Sequence, residues 1–147
     1  MIRLEMMTDA HVSQVAQLER ICFSDPWSEN SVASELKNPL SLWLVAMDGE
    51  TVAGYIGSQS VEGEADMMNV AVHPDYRRQG IARLLVTELV AALAKKGVSS
   101  LALEVRASNV PAISLYEQLG FIQVGRRPNY YRNPKEDAYI LRKEWGL

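Results

Sequence analysis

Apolar and polar side chains alternate over Ile2–Met6, the two-residue period of a strand with one buried face. From Thr8 the period changes. Val12, Val15, Leu18 and Ile21 recur every three residues, which predicts a helix from a Thr8 cap to about Cys22 with those four side chains inward. Residues 23–29 carry neither period. A second helix runs from Ser28 and stops before Pro39, whose ring disfavours helical geometry in the residue ahead of it. Residues 42–47 and 51–60 are strand-like runs on either side of Asp48-Gly49, a hairpin signal, and residues 66–72 make a further strand. The helical period returns over residues 80–96, with Ile81, Leu84, Leu85, Leu89, Val90 and Leu93 as the inward stripe and Gly97 as the stop. A strand over 100–105 follows. Next comes a helix capped by Asn109, with Pro111 in its first turn and Gly120 at its end. Strands over 121–126 and 137–142 close the chain, joined by an aromatic, basic segment over 127–135. The order β-α-α-β-β-β-α-β-α-β-β, with no repeat, linker or low-complexity tract, describes one mixed α/β domain spanning residues 1–147.

The junction between the strand at 66–72 and the helix at 80–96 carries the most chemistry. An apolar strand runs through Val70, Ala71 and Val72 into His73-Pro74-Asp75-Tyr76 and then into Arg77-Arg78-Gln79-Gly80-Ile81-Ala82. A helix that opens after such a loop presents unpaired backbone N–H groups and the positive end of its dipole. Small residues at Gly80 and Ala82 let an anion come close to the backbone, and Arg77 and Arg78 add positive charge. Such a loop fits a pyrophosphate. It lacks the Gly-Lys-Ser/Thr ending of a triphosphate loop and the glycine spacing of a dinucleotide fold. A basic turn at a helix N-terminus is the plain alternative.

Composition narrows the class. With 147 residues, 48% of them apolar, the chain can bury a proper core, and no apolar run reaches the roughly 20 residues that span a bilayer. No apolar signal core stands behind the N-terminal strand. One cysteine, Cys22, excludes an internal disulfide and suits a reducing cytoplasm. Net charge is −3, distributed unevenly: residues 1–66 hold 3 basic and 11 acidic side chains, residues 67–147 hold 12 and 7. The basic half contains the proposed anion loop, and the acidic half would attract a cation. Overall acidity argues against a dedicated nucleic-acid binder.

Glu104 lies inside the apolar run Leu101-Ala102-Leu103-Glu104-Val105, where a carboxylate is costly unless paired, hydrated or used. It is either half of a buried ion pair, to Arg106 or an arginine near the C-terminus, or a general base. Tyr116 lies on the apolar face of the helix after Asn109, as a core tyrosine or as a proton donor. Arg77-x-x-Gly80-x-Ala82 resembles the coenzyme A signature of the GNAT acetyltransferases, Arg/Gln-x-x-Gly-x-Gly/Ala, and the element order matches that fold over essentially the whole chain. The runs Leu103-Glu104-Val105-Arg106-Ala107-Ser108-Asn109, Ala112-Ile113-Ser114-Leu115-Tyr116-Glu117 and Leu119-Gly120-Phe121 closely resemble its RimI-like branch, the ribosomal-protein alanine N-acetyltransferases.

The resemblance implies a mixed sheet splayed at its centre and flanked by helices, with acetyl-CoA as cosubstrate. It implies that Val70, Ala71, Val72, Arg77, Arg78, Gln79, Gly80, Ile81, Ala82 and Asn109 hold the cofactor. It implies Glu104 as general base and Tyr116 as general acid. Phe23-Ser24-Asp25-Pro26-Trp27-Ser28 resembles the family's aromatic Pro-Trp loop, and Asn129-Tyr130-Tyr131 its Asn-Tyr-Tyr segment. By that likeness Trp27, Tyr130 and Tyr131 border the acceptor channel. A hydrophobic plug at Trp27 and an aromatic turn at the two tyrosines are the alternatives.

Cys22 and His73 read as packing or structural residues, His11 lies early on an amphipathic helix, and their spacing makes no metal site. The implied activity is acetylation of a protein N-terminal amine, that of a ribosomal protein with N-terminal alanine, by direct transfer in a ternary complex. The expected partner is that peptide, without nucleic acid or membrane, and the expected state is a cytoplasmic monomer or weak homo-oligomer. A small-molecule amine acetyltransferase, acting on a polyamine or aminoglycoside, is the same-class alternative. A non-catalytic acyl-CoA sensor is the other.

Overall fold

The structure is a computed structural model that describes residues 1–145. Its elements follow the predicted order: β1 (Ile2–Met6), α1 (Asp9–Cys22), α2 (Glu29–Glu35), β2 (Ser41–Asp48), β3 (Thr51–Val61), β4 (Glu64–Val72), α3 (Ile81–Lys95), β5 (Ser100–Arg106), α4 (Val110–Gln118), β6 (Ile122–Tyr131) and β7 (Glu136–Glu144). A single 3₁₀ turn at Pro74–Tyr76 links β4 to the loop before α3. Among the described residues no helix is long and apolar enough to cross a membrane.

The seven strands form one sheet in the order β1-β2-β3-β4-β5-β7-β6. All neighbours are antiparallel except β4 and β5, which run parallel and pair only over Glu64↔Ser100, Ala65↔Leu101 and Asp66↔Ala102. Beyond Asp66 the two strands diverge, so β4 from Met67 to Val72 and β5 from Leu103 to Arg106 face a gap. A register shift in the β3–β4 ladder between Gly57 and Ser58 leaves Met68 as the extra residue and bends β4 at this point. The expected central splay is therefore present.

Two apolar clusters lie on opposite faces. One packs α3 and α4 onto the sheet through Ile81, Leu85, Leu89, Leu93 and Tyr116 against Leu101, Leu103 and Val105. The other packs α1 and α2 onto β2 and β3 through Val12, Val15, Leu18 and Val32 against Trp43, Val45 and Tyr55. The second cluster has no residue from β5, β6 or β7, so this face stays open over their half of the sheet.

Two inward positions of the sequence pattern are exposed: Ile21 at 47% and Leu84 at 37%. At 100° per residue the buried stripe of α1 runs through His11, Val15 and Glu19 to Cys22, and Ile21 lies about 120° from its centre. Leu84 falls outside the arc shared by Ile81, Leu85 and Leu89 for the same reason. His11 has a local role. Its Nδ1 accepts the Thr8 N–H at 2.9 Å, capping α1, while its Nε2 lies 3.1 Å from Glu5. His73 likewise accepts the Asp75 N–H at 3.0 Å and caps the 3₁₀ turn. The segment over 127–135, expected as a connection, is largely strand: β6 runs on to Tyr131 before the chain turns into β7.

Candidate active site

The loop before α3 turns through two left-handed residues and leaves backbone N–H groups open. Gly80 is the residue ahead of the helix, at φ 78°, and Arg78 shares the left-handed region at φ 64°. Left-handed residues among right-handed ones turn successive N–H groups toward one concave point. The first N–H of the helix to find a backbone partner is that of Leu84, on Gly80 O at 3.0 Å, and among the described residues no side chain caps the end. The N–H groups of Ile81, Ala82 and Arg83 thus point out of the helix. A Cβ built at Gly80 meets nothing within 4 Å, so the approach is open. Arg78, Gln79 and Gly80 are exposed and Ala82 is half-buried. The Arg77 guanidinium turns back toward β4, where its Nε donates to Val72 O at 3.3 Å and a terminal nitrogen lies 3.8 Å from Cys22 Sγ. Arg78 is left as the charge of the loop itself. Cys22 is half-buried, and burial pushes its thiol up, in keeping with a packing role.

Backbone direction on β4 follows from one bond. The His73 N–H donates to Ala53 O on β3 at 2.8 Å. Because backbone groups alternate sides along a strand, Ala71 also faces β3, while Val70 and Val72 turn their N–H and C=O groups into the gap. The Ala71 side chain is buried in the α1–α2 cluster. Asn109 caps α4, its Oδ1 accepting the Ala112 N–H at 3.3 Å.

Glu104 and Tyr116 flank the gap from opposite faces. Glu104 projects from β5 just past its last pairing with β4, on the open face. It is not deeply buried: its side chain is 30% exposed and its Oε2 lies 2.6 Å from Arg127 Nε. The ion-pair partner is thus on β6, and neither Arg106 nor an arginine of β7 fills that place. Tyr116 belongs to the α3–α4 cluster, is 6% exposed and packs edge-on to Phe121 at 5.5 Å. Among the described residues its hydroxyl has only Met67 Sδ, at 4.0 Å, as a neighbour for a hydrogen bond. Met67 is the first β4 residue beyond the pairing, so the Tyr116 hydroxyl sits at the mouth of the gap. Burial, with a smaller contribution from Tyr131, raises the Tyr116 pKa to about 12, so the phenol holds its proton across the neutral range.

Tyr130 and Tyr131 meet edge-to-face at 5.1 Å beside Glu104. Burial first, and the Glu104 carboxylate second, push both phenols up, Tyr131 to about 12. The Arg106 guanidinium lies 4.4 Å over the Tyr131 ring and donates to Arg132 O at 2.9 Å and Pro134 O at 2.8 Å. It also pairs with Glu136 at 3.2 Å, whose other oxygen accepts the Ser108 N–H at 2.7 Å. These bonds clamp the β6–β7 turn onto the end of β5 and set the two tyrosines over Glu104. Trp27 is half-buried, edge-on to Trp43 at 5.5 Å, so it partly plugs the α1–α2 side. Arg106, Arg127 and Glu136 were missed as contributors. Each works through a partner at least 23 positions away in the chain, beyond the reach of any local pattern.

Comparisons with known proteins bear on the family and the fold. The model of the acetyltransferase (GNAT) family matches residues 12–121. The chain is 42% identical over 126 residues to the [ribosomal protein bS18]-alanine N-acetyltransferase of Escherichia coli (strain K12), covering 84% of each chain. It is 34% identical over 151 residues to the N-alpha-acetyltransferase RimI of Mycobacterium tuberculosis, covering 99% of this chain and 94% of that one. The crystal structure of the ribosomal-protein-S18-alanine N-acetyltransferase from Escherichia coli superimposes with a TM-score of 0.92 at 36% identity, covering 100% of this chain and 96% of that one.

Proposed function

The chain belongs to the acetyltransferase (GNAT) family, and on that premise we propose that it moves the acetyl group of acetyl-CoA to the α-amine of a protein N-terminus that begins with alanine, on a ribosomal protein. The observation that carries this reading is the gap past Asp66↔Ala102, with Glu104, Tyr130 and Tyr131 on its open face and Tyr116 and the α3 N-terminus on the other. Two substrates can meet there from opposite sides of one sheet. The Escherichia coli relative is by name an alanine N-acetyltransferase of ribosomal protein bS18, and the Mycobacterium tuberculosis relative, matched over 99% of this chain, is by name an N-alpha-acetyltransferase.

The residues present fit acetyl-CoA. The free N–H groups of Ile81, Ala82 and Arg83, with Arg78 beside them, suit the pyrophosphate, and the outward-facing backbone of Val70 and Val72 suits an extended amide-bearing arm. When bound, acetyl-CoA supplies an activated acyl carbon and a thiolate leaving group. The N–H of Val72, or that of Val70 shared with Asn69 Oδ1, stabilises negative charge developing on the acyl oxygen. Glu104 takes the proton of the incoming amine, directly or through water, once the ammonium has replaced Arg127 at the carboxylate. Tyr116 donates a proton to the departing sulfur. No protein nucleophile is needed. One carboxylate suffices for an α-amine, whose deprotonation at pH 7 costs roughly 1.2 kcal/mol against roughly 4.6 for a lysine. Tyr130, Tyr131 and Trp27 border the acceptor. The reading needs neither nucleic acid nor membrane, and one copy of the chain carries every residue it uses.

A peptide panel tests it. A peptide that begins with alanine is expected to be acetylated at its N-terminus. The same peptide with a blocked N-terminus is expected to be inert even when it contains lysines. Acetyl groups found by mass spectrometry on lysine, or spermidine outcompeting every peptide, would replace this reading with a lysine or small-molecule acceptor.

A further inference from the structure

Glu19 is buried to 1% exposure, on the inward face of α1, and takes no part in the mechanism above. None of the ion pairs among the described residues includes it. Its carboxylate is held instead by three donors from three elements. Oε1 accepts the backbone N–H of Trp27, in the loop before α2, at 2.8 Å. Oε2 accepts the Tyr55 hydroxyl from β3 and the Asn69 side-chain amide from β4, the latter at 2.6 Å. Asn69 lies one residue past the extra residue of β4, and its own Oδ1 faces the Val70 N–H at 3.2 Å. One buried charge is thus bonded on one oxygen to the aromatic loop and on the other to the strand that lines the gap.

A structural carboxylate would need only some set of donors. This set ties together the two segments that the proposed reaction must bring into register. We infer that Glu19 is a positioning residue for acetyl transfer, setting the acceptor loop through the Trp27 N–H and the Val70 N–H through Asn69. The inference rests on the functional reading above. An ionised carboxylate is the only side chain of this length that accepts from both sides at once. An amide offers one oxygen and turns its NH₂ toward either the Trp27 N–H or the Asn69 amide, breaking one link. A hydrogen bond to a buried charge is strong enough that losing it moves a rate or a binding constant by about tenfold or more.

The test uses the full chain with acetyl-CoA and the alanine-initiated peptide. The parent's turnover of that peptide decides the functional reading on its own, and the variants then decide this inference. Glu19→Gln is expected to change acceptor KM or kcat by about tenfold while the Kd for coenzyme A, from calorimetry, stays within about twofold. Asn69→Ala removes one link and leaves the buried carboxylate its other two donors, which keeps the question open to measurement if Glu19→Gln folds poorly. It is expected to lower kcat by about tenfold and leave acceptor KM within about twofold. The pair Glu19→Gln, Asn69→Asp moves the charge across the bond. The amide introduced on α1 can then donate to the new carboxylate on β4 and accept from the Trp27 N–H, so the pair is expected to recover most of the loss. Parent-like kinetics in both single variants would overturn the inference. So would a loss of coenzyme A affinity equal to the loss of turnover, or a double variant no better than Glu19→Gln, since each marks a role in folding alone.

Discussion

Replacing Tyr116 by phenylalanine is expected to lower kcat by roughly 10²–10⁴-fold, the usual size of a proton-transfer contribution, with coenzyme A affinity nearly unchanged. The ring would keep its edge-on packing against Phe121, so the fold loses little. What disappears is a hydroxyl whose only neighbour for a hydrogen bond among the described residues is a thioether 4.0 Å away. A tyrosine hydroxyl buried for stability alone is usually given a good acceptor. This one is aimed at the mouth of the gap and keeps its proton up to about pH 12. The parent's kcat should accordingly show no fall from ionisation of Tyr116 near pH 10, where an ordinary phenol titrates. Steady-state kinetics of the variant check both points. Near-parental turnover would return Tyr116 to core packing.

Gly80→Glu is expected to reduce coenzyme A affinity by about 10²-fold or more, through loss of charge-assisted bonds worth about 1.5–3 kcal/mol each. Gly80 sits at φ 78° with open space where a Cβ would stand. The new side chain would reach over the free N–H groups of Ile81 and Ala82, satisfy them with its own carboxylate and repel a phosphate. The left-handed backbone adds a strain of about 1–2 kcal/mol for any other L residue, small beside a typical total stability of about 5–15 kcal/mol. Gly80→Ala carries that strain without the charge and is expected to keep most of the affinity. Calorimetry on the two variants separates them, as does the rise in melting temperature that coenzyme A produces in the parent. Equal losses in both would assign the effect to the backbone and leave the anion cradle without support.

Much of this arrangement was legible in the chain because it is periodic or local. The strand and helix order, the Asn109 cap and the anion loop depend on residues within a few positions of one another. The failures are also of one kind. Ile21 and Leu84 are apolar and close to the helical period, yet the arc each helix buries is set by the sheet beneath it. β6 is exposed through most of its length and loses its apolar–polar alternation after Val124, so no pattern marks its second half. Its extension to Tyr131 rests on pairing with β7, including Arg126↔Tyr139 and Tyr131↔Glu136. The Glu104 partner proved to be Arg127, 23 positions on, reached only because β7 lies between β5 and β6. Glu19 looks like an ordinary helix-surface acid until Tyr55 and Asn69, 36 and 50 positions away, close over it. Local chemistry could propose an anion loop, an acid and a base. The bonds that aim them are long-range.

A conjugate that joins coenzyme A through an acetyl bridge to the α-amine of an alanine-initiated peptide tests the central claim most directly. If the two substrates meet across the gap between β4 and β5, both halves of the conjugate bind at once. The affinity should then exceed that of coenzyme A alone by about 10²-fold or more, from effective concentration. The matching conjugate through a lysine side chain should gain far less. Calorimetry that found the alanine conjugate no tighter than coenzyme A, or no tighter than the lysine conjugate, would contradict the account.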